Sequence, residues 1–377
     1  MIFLDSAATS FQKPPEVEQA VLRAMREYSS PGRGGYAAAV SAAEAAFQCR
    51  TELQELFHVS TPEQVAFTSN ATHALNIAIK SLVPEGGSVV VSGYEHNAVT
   101  RPLYALRARV RFAGSRLFHP EEAEESFEKM IRPGLSAVIC NHVSNVFGYV
   151  QPVEKIAALC ADREVPFILD ASQSAGVLPI DAERLRTAFL AMPGHKGLYG
   201  PQGTGVLICG EGTAVKPLIE GGTGSRSAQQ EMPDFLPDRL EAGTHNMPGI
   251  AGLLAGVCYV RTRGAERICA RERMLAAVAA EGLRQLPGVH VYAEPDLFAQ
   301  TGVLSFTREG MDVEEIGGQL AKRGIAVRAG LHCAPAAHKS AGTLSSGTVR
   351  VSFSDWNTPE EIQQFLNAAA DIFHAKS

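Results

Sequence analysis

A lysine, Lys196, stands in the glycine-rich stretch "MPGHKGLYGPQGTG" that spans residues 192–205. The apolar run "TAFLA" precedes this stretch and "GVLIC" follows it, so the lysine falls in a turn between two expected strands. A buried turn is a costly place for an amine, because the charged form loses its hydration there. The placement therefore indicates a chemical role, and an amine of this kind is suited to forming a Schiff base with a carbonyl compound.

Further polar residues stand at the ends of other expected strands. Asp170 ends the run "FILD", and Gln173 follows three residues later. His96 and Asn145 come just after the runs "SVVVSG" and "SAVICN". Thr72 lies in the first turn of the helical pattern "ATHALNIAIKSLV". Because sites in parallel α/β sheets form at the C-terminal ends of the strands, we expect these side chains to converge with Lys196.

This set of residues fits pyridoxal phosphate. Lys196 would form the Schiff base with its aldehyde, and Asp170 would keep the pyridine nitrogen protonated so that the ring can accept electrons. Gln173 would hydrogen-bond the phenolic oxygen, and His96 would stack on the ring and move protons. The phosphate would lie at the helix that begins near Thr72, where backbone amides and the hydroxyl point at an anion.

The elements that must position these residues alternate between strand and helix. Near-continuous apolar strands alternate with helical patterns such as residues 97–109, which predicts an α/β fold with a mostly parallel sheet covered by helices. After about residue 255 the pattern changes to one long helix over 256–286, followed by short strands and two helices, which predicts a smaller α+β domain. We expect a large domain over 12–258 and a small domain built from 1–11 and 259–377.

Composition excludes several classes of protein. A net charge of −6 gives no basic footprint for nucleic acid, and the N-terminus "MIFLDSAATS" predicts neither a signal peptide nor a membrane span. The seven cysteines form no C-x-x-C pair, so we expect reduced thiols and a cytoplasmic location. His332, Cys333 and His338 lack the spacing of a zinc site, and no metal is expected.

At this point the chain resembles the class V aminotransferase family, and within it the group II branch of cysteine desulfurases and selenocysteine lyases. The resemblance runs nearly end to end through seven motifs in order, among them "IFLDSAAT", "YEHNA", "HVSNVFG", "GHKGLYGPQGTG", "EAGTHN" and "VRAGLHCAP". It implies fold type I of the pyridoxal-phosphate enzymes, with a seven-stranded type of sheet, and a homodimer. It also implies that His195 and Asn145 join the cofactor site and that Thr244 reaches the phosphate of the partner subunit.

The resemblance assigns the reaction through Cys333. In the similar desulfurases this position carries the thiolate that takes sulfur from L-cysteine as a persulfide and leaves L-alanine, and a sulfur-acceptor protein then receives the sulfur. Arg328, or His332 if protonated, would favour the thiolate. Arg350 would bind the substrate carboxylate through a bidentate pair, with Asn145 and Arg328 as further substrate-binding residues.

Two alternatives of the same fold stay open: a selenocysteine lyase, and an aminotransferase or C–S lyase that moves no sulfur to the enzyme. Cys333 could also be an inert buried thiol, since free cysteines are usually buried. The chain departs from the group II pattern at Pro193, where a phosphate-binding serine is usual, and at Leu331, where histidine is frequent. The segment 221–240 also lacks the expected interface hairpin.

Overall fold

The strands of the protein form a seven-stranded sheet, a four-stranded sheet and a two-stranded pair. The computed structural model describes residues 1–32, 34–294 and 298–374. In chain order the strands are β1 (Ile2–Phe3), β2 (Val65–Thr68), β3 (Ser88–Ser92), β4 (Arg109–Ala113), β5 (Ala137–Asn141), β6 (Phe167–Asp170), β7 (Phe189–Pro193), β8 (Gly205–Cys209), β9 (Val289–Tyr292), β10 (Val303–Arg308), β11 (Ile325–Ala326), β12 (Arg328–Gly330) and β13 (Thr348–Ser352).

Helices cover both sheets, and none of the described helices is both long enough and apolar enough to cross a membrane. In chain order they are α1 (Pro15–Glu27), α2 (Ala37–Phe57), α3 (Ala71–Leu82), α4 (Asn97–Ala105), α5 (Pro120–Met130), α6 (Val153–Asp162), α7 (Met247–Arg263), α8 (Ala265–Arg284), α9 (Val313–Lys322), α10 (Pro335–Ser340) and α11 (Pro359–His374), with short 3₁₀ turns at Pro62–Gln64 and Asp238–Leu240.

The large sheet has the lateral order β2-β8-β7-β6-β5-β3-β4. Its β3–β4, β3–β5, β5–β6 and β6–β7 pairs are parallel, and only the pairs made by β8 are antiparallel. Val90 packs into the core on one face, whereas Val89 and Val91 pack into the core on the other. This alternation buries both faces under helices, and it confirms the predicted mostly parallel α/β sheet.

The smaller sheet has the order β12-β13-β10-β9, and it packs against α8, α9 and α11 around a separate core. The first strand of the chain, β1, pairs in parallel with β11, and Leu4 is buried in this same core. The N-terminal residues therefore associate with the later part of the chain. The exact limits of the two domains, at residues 11 and 258, stay a prediction.

Two predicted helices are wrong in their extent. The helical pattern over 97–109 ends at Ala105, and Arg107 has a left-handed backbone (φ +51°) that turns the chain into the edge strand β4. The single helix predicted over 256–286 is two helices, because Gly264 (φ +85°) separates α7 from α8. Local apolar spacing continues through both breaks, so spacing alone does not reveal them. In the last predicted helix, Ala375 lies outside the described residues.

A close approach of two loops links the fold to the lysine turn. Gly176 has φ +80°, and a Cβ atom on it would collide with the carbonyl oxygen of Gly197, the residue after Lys196. Gly134 has a similar φ of +86°, but open space lies where its Cβ would be. A comparison of alanine substitutions at these two glycines therefore separates the cost of backbone strain, which both share, from the cost of steric contact with the lysine turn, which only Gly176 has.

We expect Gly176→Ala to lower the free energy of unfolding more than Gly134→Ala does. The left-handed backbone costs an alanine about 1–2 kcal/mol at either position, and the collision adds about 1–3 kcal/mol at Gly176 alone. Urea unfolding of both variants measures the difference. Equal losses would mean that the turn around Lys196 moves aside freely.

Candidate active site

All but one of the residues predicted to bind the cofactor come together in one cavity at the C-terminal edge of the large sheet. Strands β5, β6 and β7 all end at this edge, and the start of α3 and the residue before α4 also border the cavity. The residues from the sequence prediction that line it are Thr72, His96, Asn145, Asp170, Gln173, His195 and Lys196. The expected convergence of the strand ends is therefore found.

Lys196 follows β7 in a turn and is half-buried. Among the described residues, none hydrogen-bonds or ion-pairs with its amine. Burial lowers the pKa of Lys196 to about 8; Asp170 opposes this decrease, while Arg350 and Arg328 add to it. An amine with a lowered pKa has a larger neutral fraction near pH 7, and the neutral form is the one that attacks a carbonyl group.

Asp170 is the last residue of β6 and is 3% exposed. One of its carboxylate oxygens, Oδ1, accepts hydrogen bonds from the amide (2.9 Å) and the hydroxyl (2.5 Å) of Ser172. Glu95 lies buried nearby and accepts from the Ser92 hydroxyl (2.6 Å) and the Asn141 amide (2.9 Å). Burial, with a smaller effect from Asp170, raises the pKa of Glu95 to about 8. A protonated Glu95 therefore adds no second negative charge beside Asp170.

His96 caps the N-terminus of α4. Its Nδ1 atom accepts a hydrogen bond from the amide of Ala98 (3.0 Å), so the neutral ring carries its proton on Nε2. Burial lowers the pKa of His96, and this favours the neutral ring near pH 7. The histidine is thus held with a defined tautomer at the edge of the cavity.

The N-terminus of α3 also borders the cavity through Asn70, Ala71 and Thr72. Asn70 is the N-cap, and its side chain accepts from the amide of His73 (2.9 Å). The first amides of a helix have no partner within the helix, and they carry the positive end of its dipole. Pro193 lies in the same cavity and has no hydroxyl to offer, so an anion here would depend on the helix end and on Thr72.

Arg350 lies behind the cavity on β13 and is 2% exposed. One of its nitrogens, Nη1, donates to the carbonyl oxygen of Asn145 (2.8 Å), and burial lowers the pKa of the guanidinium. Two buried polar atoms lack a partner here, Nε of Arg350 and Oδ1 of Asn145. Unpaired buried polar atoms are rare in folded proteins, and two on residues that contact one another indicate a place for a polar ligand.

Cys333 is exposed, so the alternative of an inert buried thiol is wrong; of the other six cysteines, five are buried and Cys258 is partly exposed. Cys333 lies between β12 and α10, and both His332 (φ +49°) and Cys333 (φ +56°) have left-handed backbones. Asn145 Nδ2 donates to the carbonyl oxygen of His332 (2.8 Å), and the amide of Asn97 donates to that of Cys333 (2.8 Å). The thiol is therefore presented on a loop that is tied to the cavity wall.

His332 does not supply the positive charge that the sequence suggested. Its ring is buried, its Nε2 lies 3.1 Å from the carbonyl oxygen of Thr348, and burial lowers its pKa to about 2. The ring of the buried His338 stacks against it with the centroids 5.7 Å apart. His332 is therefore neutral, and the cations of this region are Arg328 and Arg350.

The N-terminal segment 5–10 reaches the site, and residue-by-residue reasoning missed it. Asp5 pairs with Arg350, the carbonyl oxygen of Ala7 accepts from Nε2 of Gln173 (3.0 Å), and Ser10 hydrogen-bonds the carbonyl oxygen of His195. The signal was present in the motif "IFLDSAAT", but no periodicity indicates which distant residues it contacts.

Thr244 lies apart from this cavity, in a neighbouring groove that Thr72 and Asn70 also border. The loop that carries it is anchored by Glu241, which pairs with Arg50 (2.6 Å) and His245 (2.6 Å) and accepts from the amide of Phe67 (2.6 Å). Burial alone would raise the pKa of Glu241, but its basic partners His245 and Arg50 have the larger effect, and the net result is a lowered pKa. The contact of Thr244 with a partner subunit stays a prediction.

The residues present fit pyridoxal phosphate. The cavity offers an amine without a partner, a carboxylate with one oxygen free of described donors, and a helix N-terminus, and these suit an aldehyde, a ring nitrogen and a phosphate. The two unpaired atoms of Arg350 and Asn145 lie next to this cavity and suit a second, polar ligand.

Comparison with known proteins agrees with the resemblance. The family described as aminotransferase class-V matches residues 2–365. A probable cysteine desulfurase of Methanothermobacter thermautotrophicus is 32% identical, over 96% of this chain and 92% of that protein. One of Pyrococcus abyssi is 31% identical, over 99% and 94%.

Solved structures agree as well. The apo structure of a cysteine desulfurase from Thermococcus onnurineus has a TM-score of 0.89 and 30% identity, and it covers 99% of this chain and 95% of that one. A cysteine desulfurase of Escherichia coli in an S-sulfonic acid form has a TM-score of 0.87 and 26% identity, with 98% and 95% covered.

The lowered pKa of His332 makes stability depend on pH. Below about pH 6.5 His332 takes up a proton in the unfolded chain but not in the folded chain. The contribution of the neutral ring to the free energy of unfolding is therefore fully present above pH 6.5 and is lost as the pH falls. Between pH 7 and pH 5 we expect His332→Asn to lose about 2 kcal/mol less unfolding free energy than the unchanged protein loses. Urea titrations at the two pH values measure it.

His58→Asn is the matched control, because His58 is exposed and has a similar left-handed backbone (φ +52°). Its pH dependence should equal that of the unchanged protein. A His332→Asn variant with the full pH dependence would contradict the assignment of a neutral, buried ring.

Proposed function

The chain belongs to the class-V aminotransferase family, and from that premise we propose that it is a pyridoxal-phosphate-dependent cysteine desulfurase. It would convert L-cysteine to L-alanine and hold the released sulfur on Cys333 as a persulfide. The relatives and solved structures named above are cysteine desulfurases, and nothing in them favours selenocysteine cleavage or C–S lysis over this reaction.

One observation carries the proposal: an unpaired lysine amine lines a cavity, and a residue of the same cavity wall holds the loop of an exposed cysteine. Asn145 lines the cavity of Lys196, and its side chain holds the loop of Cys333 through the carbonyl oxygen of His332. A substrate bound at the lysine would therefore have a thiol within the same small region. An aminotransferase needs the amine but has no use for a thiol presented in this way.

In this proposal the residues of the cavity hold the cofactor. When bound, pyridoxal phosphate supplies an electron-accepting ring that takes up charge developed on the carbon atoms of the amino acid. Asp170 would pair with the ring nitrogen, Gln173 with the phenolic oxygen, and Thr72 with the phosphate at the start of α3. His195 accepts or donates at Thr9 through Nδ1 (3.0 Å), which leaves Nε2 for the cofactor.

The sulfur transfer needs no external oxidant or reductant. The thiolate of Cys333 attacks the sulfur of L-cysteine, so an S–S bond forms while the C–S bond of the substrate breaks. The electron pair of the broken bond stays on carbon, which takes a proton and becomes the methyl group of alanine. Among the titratable groups that line the cavity, Lys196 and His96 are the ones we propose to move this proton. The sum is L-cysteine plus enzyme thiol giving L-alanine plus enzyme persulfide.

The wider setting follows from the same proposal. The large domain would comprise residues 12–258, and residues 1–11 and 259–377 would form the small domain that carries Cys333. Two chains would form a homodimer in which Thr244 reaches the phosphate site of the partner subunit. A sulfur-acceptor protein in the cytoplasm would collect the sulfur, and exposure of the Cys333 thiol supports such a transfer.

The cofactor assignment is tested at Lys196. We expect Lys196→Ala to lose the visible absorption of the reconstituted enzyme and to lower alanine formation about a thousandfold or more, since no other amine lines the cavity of described residues. Lys80→Ala, on the exposed face of α3, is the control and should retain both properties. If the absorption spectrum of the protein without substitutions did not change after incubation with pyridoxal phosphate, the proposal itself would be contradicted.

The sulfur transfer is tested at Cys333. Cys333→Ala should bind the cofactor normally and form no alanine from L-cysteine, because no group remains to accept the sulfur. It should still cleave part of the L-selenocysteine offered, since the C–Se bond is weaker. Alkylation and mass spectrometry after one turnover should find the extra sulfur on Cys333.

Cys258→Ala is the matched control, because Cys258 is also partly accessible but lies on α7. It should keep the activity and the label. Wild-type rates of alanine formation in Cys333→Ala would overturn the persulfide mechanism and leave a C–S lyase in its place.

A further inference from the structure

Asp5 joins two arginines on neighbouring strands. Its Oδ1 lies 2.5 Å from Nη2 of Arg350, and its Oδ2 lies 3.3 Å from Nε of Arg328. Arg328 on β12 and Arg350 on β13 stand directly opposite one another in the antiparallel register. Two like charges in such a cross-strand pair repel, so the carboxylate between them is what allows both to stay in place.

Asp5 is held in this position by the fold rather than by the arginines alone. It forms a bridge with Ser352 at the end of β13, and the preceding residues of β1 pair with β11. The amide of Ala7, two residues later, donates to the hydroxyl of Ser352 (2.9 Å). The carboxylate is therefore a fixed part of the substrate-binding region that the proposed function assigns to Arg350.

Two of the five N–H donors of Arg350 have a described partner. Nη1 donates to the carbonyl oxygen of Asn145 and Nη2 donates to Asp5, whereas Nε is buried and has no partner. The Nε–H group is therefore a buried donor that remains for a ligand carboxylate, on the same guanidinium that already holds the carboxylate of Asp5.

The charges of the three side chains favour a single ligand carboxylate. Arg328 and Arg350 contribute two positive charges and Asp5 one negative charge, which leaves a net charge of one. Lys196 and Asp170 lie nearby with opposite signs and cancel when both are ionised. Cys333, which also acts on Arg350, adds no positive charge. One ligand carboxylate therefore neutralises the three side chains.

We propose that Asp5 is a specificity-determining residue of this site, which makes it select amino acids with one carboxylate and reject dicarboxylic ones. The proposal rests on the proposed function, because it takes Arg350 as the group that binds the substrate carboxylate. Asp5 acts through the two arginines and by its charge, and it is therefore a positioning residue rather than a catalytic one.

The test measures binding and does not need turnover. The dissociation constants of L-alanine and L-aspartate are determined for the reconstituted enzyme from the change in the absorption of its cofactor, with calorimetry as a second readout. In the unchanged protein L-aspartate should bind more weakly than L-alanine. In Asp5→Asn the ratio of the two constants, aspartate over alanine, should fall about tenfold or more, because the second carboxylate then meets an unneutralised arginine.

A compensating variant separates charge from structure. Arg328→Gln removes a positive charge from a side chain that is 51% exposed, and it should raise the ratio about tenfold. The double variant Asp5→Asn with Arg328→Gln restores the net charge of one, and its ratio should return to within about threefold of the unchanged protein. A purely structural role of Asp5 predicts no such return. Should Asp5→Asn fail to fold, Arg328→Gln alone still tests whether removal of a positive charge raises the ratio of the two dissociation constants.

Asp162→Asn is the control for removal of a negative charge, because Asp162 is exposed at the end of α6. Its ratio should stay within about twofold of the unchanged protein. The inference is overturned if Asp5→Asn leaves the ratio unchanged or if Asp162→Asn changes it equally. Failure of the enzyme to form alanine from L-cysteine would overturn the proposed function instead, and it leaves these binding ratios measurable.

Discussion

A half-buried amine without a described partner is the constraint on which the rest of the structure depends. Removing the ammonium of Lys196 from water is unfavourable, and this is the main cause of its lowered pKa. Among the described residues no carboxylate forms a direct ion pair with this amine; Asp170 directs one oxygen to Ser172, and its other oxygen has no described donor. Two large hydrophobic cores on the faces of the seven-stranded sheet stabilise the fold and offset the unfavourable burial of this amine. The amine and the carboxylate are thereby kept near one another and free for a third group.

The site also depends on how the two sheets are joined. The cavity belongs to the strand ends of the large sheet, while Arg350 and the loop of Cys333 belong to the small one. Segment 5–10 connects them, since Asp5 contacts Arg350 while Ala7 and Ser10 contact Gln173 and His195. A few residues from the start of the chain thus link the groups proposed to bind the substrate with those proposed to bind the cofactor.

Sequence reasoning found those residues whose position follows from a local pattern. Lys196 and Asp170 could be predicted because apolar strands end just before them, and the ends of parallel strands share an edge. The break at Gly264 could not, because the helical spacing is the same on both sides of it. The neutrality of His332 and the bridge made by Asp5 could not be predicted either. Both depend on contacts between residues far apart in the chain, which no periodicity encodes.

Asn145 shows how closely the two halves of the site depend on one another. Its carbonyl oxygen holds Arg350, its amide holds the loop of Cys333, and its Oδ1 has no partner. That loop carries two successive left-handed residues, which cost about 1–2 kcal/mol each, so it needs such anchors to stay in place. A ligand that uses Oδ1 would therefore act on a residue that already positions both Arg350, the arginine proposed to bind the substrate carboxylate, and the loop of Cys333. In the proposed function, substrate binding and sulfur transfer would thus be coupled through the backbone and side chain of one residue.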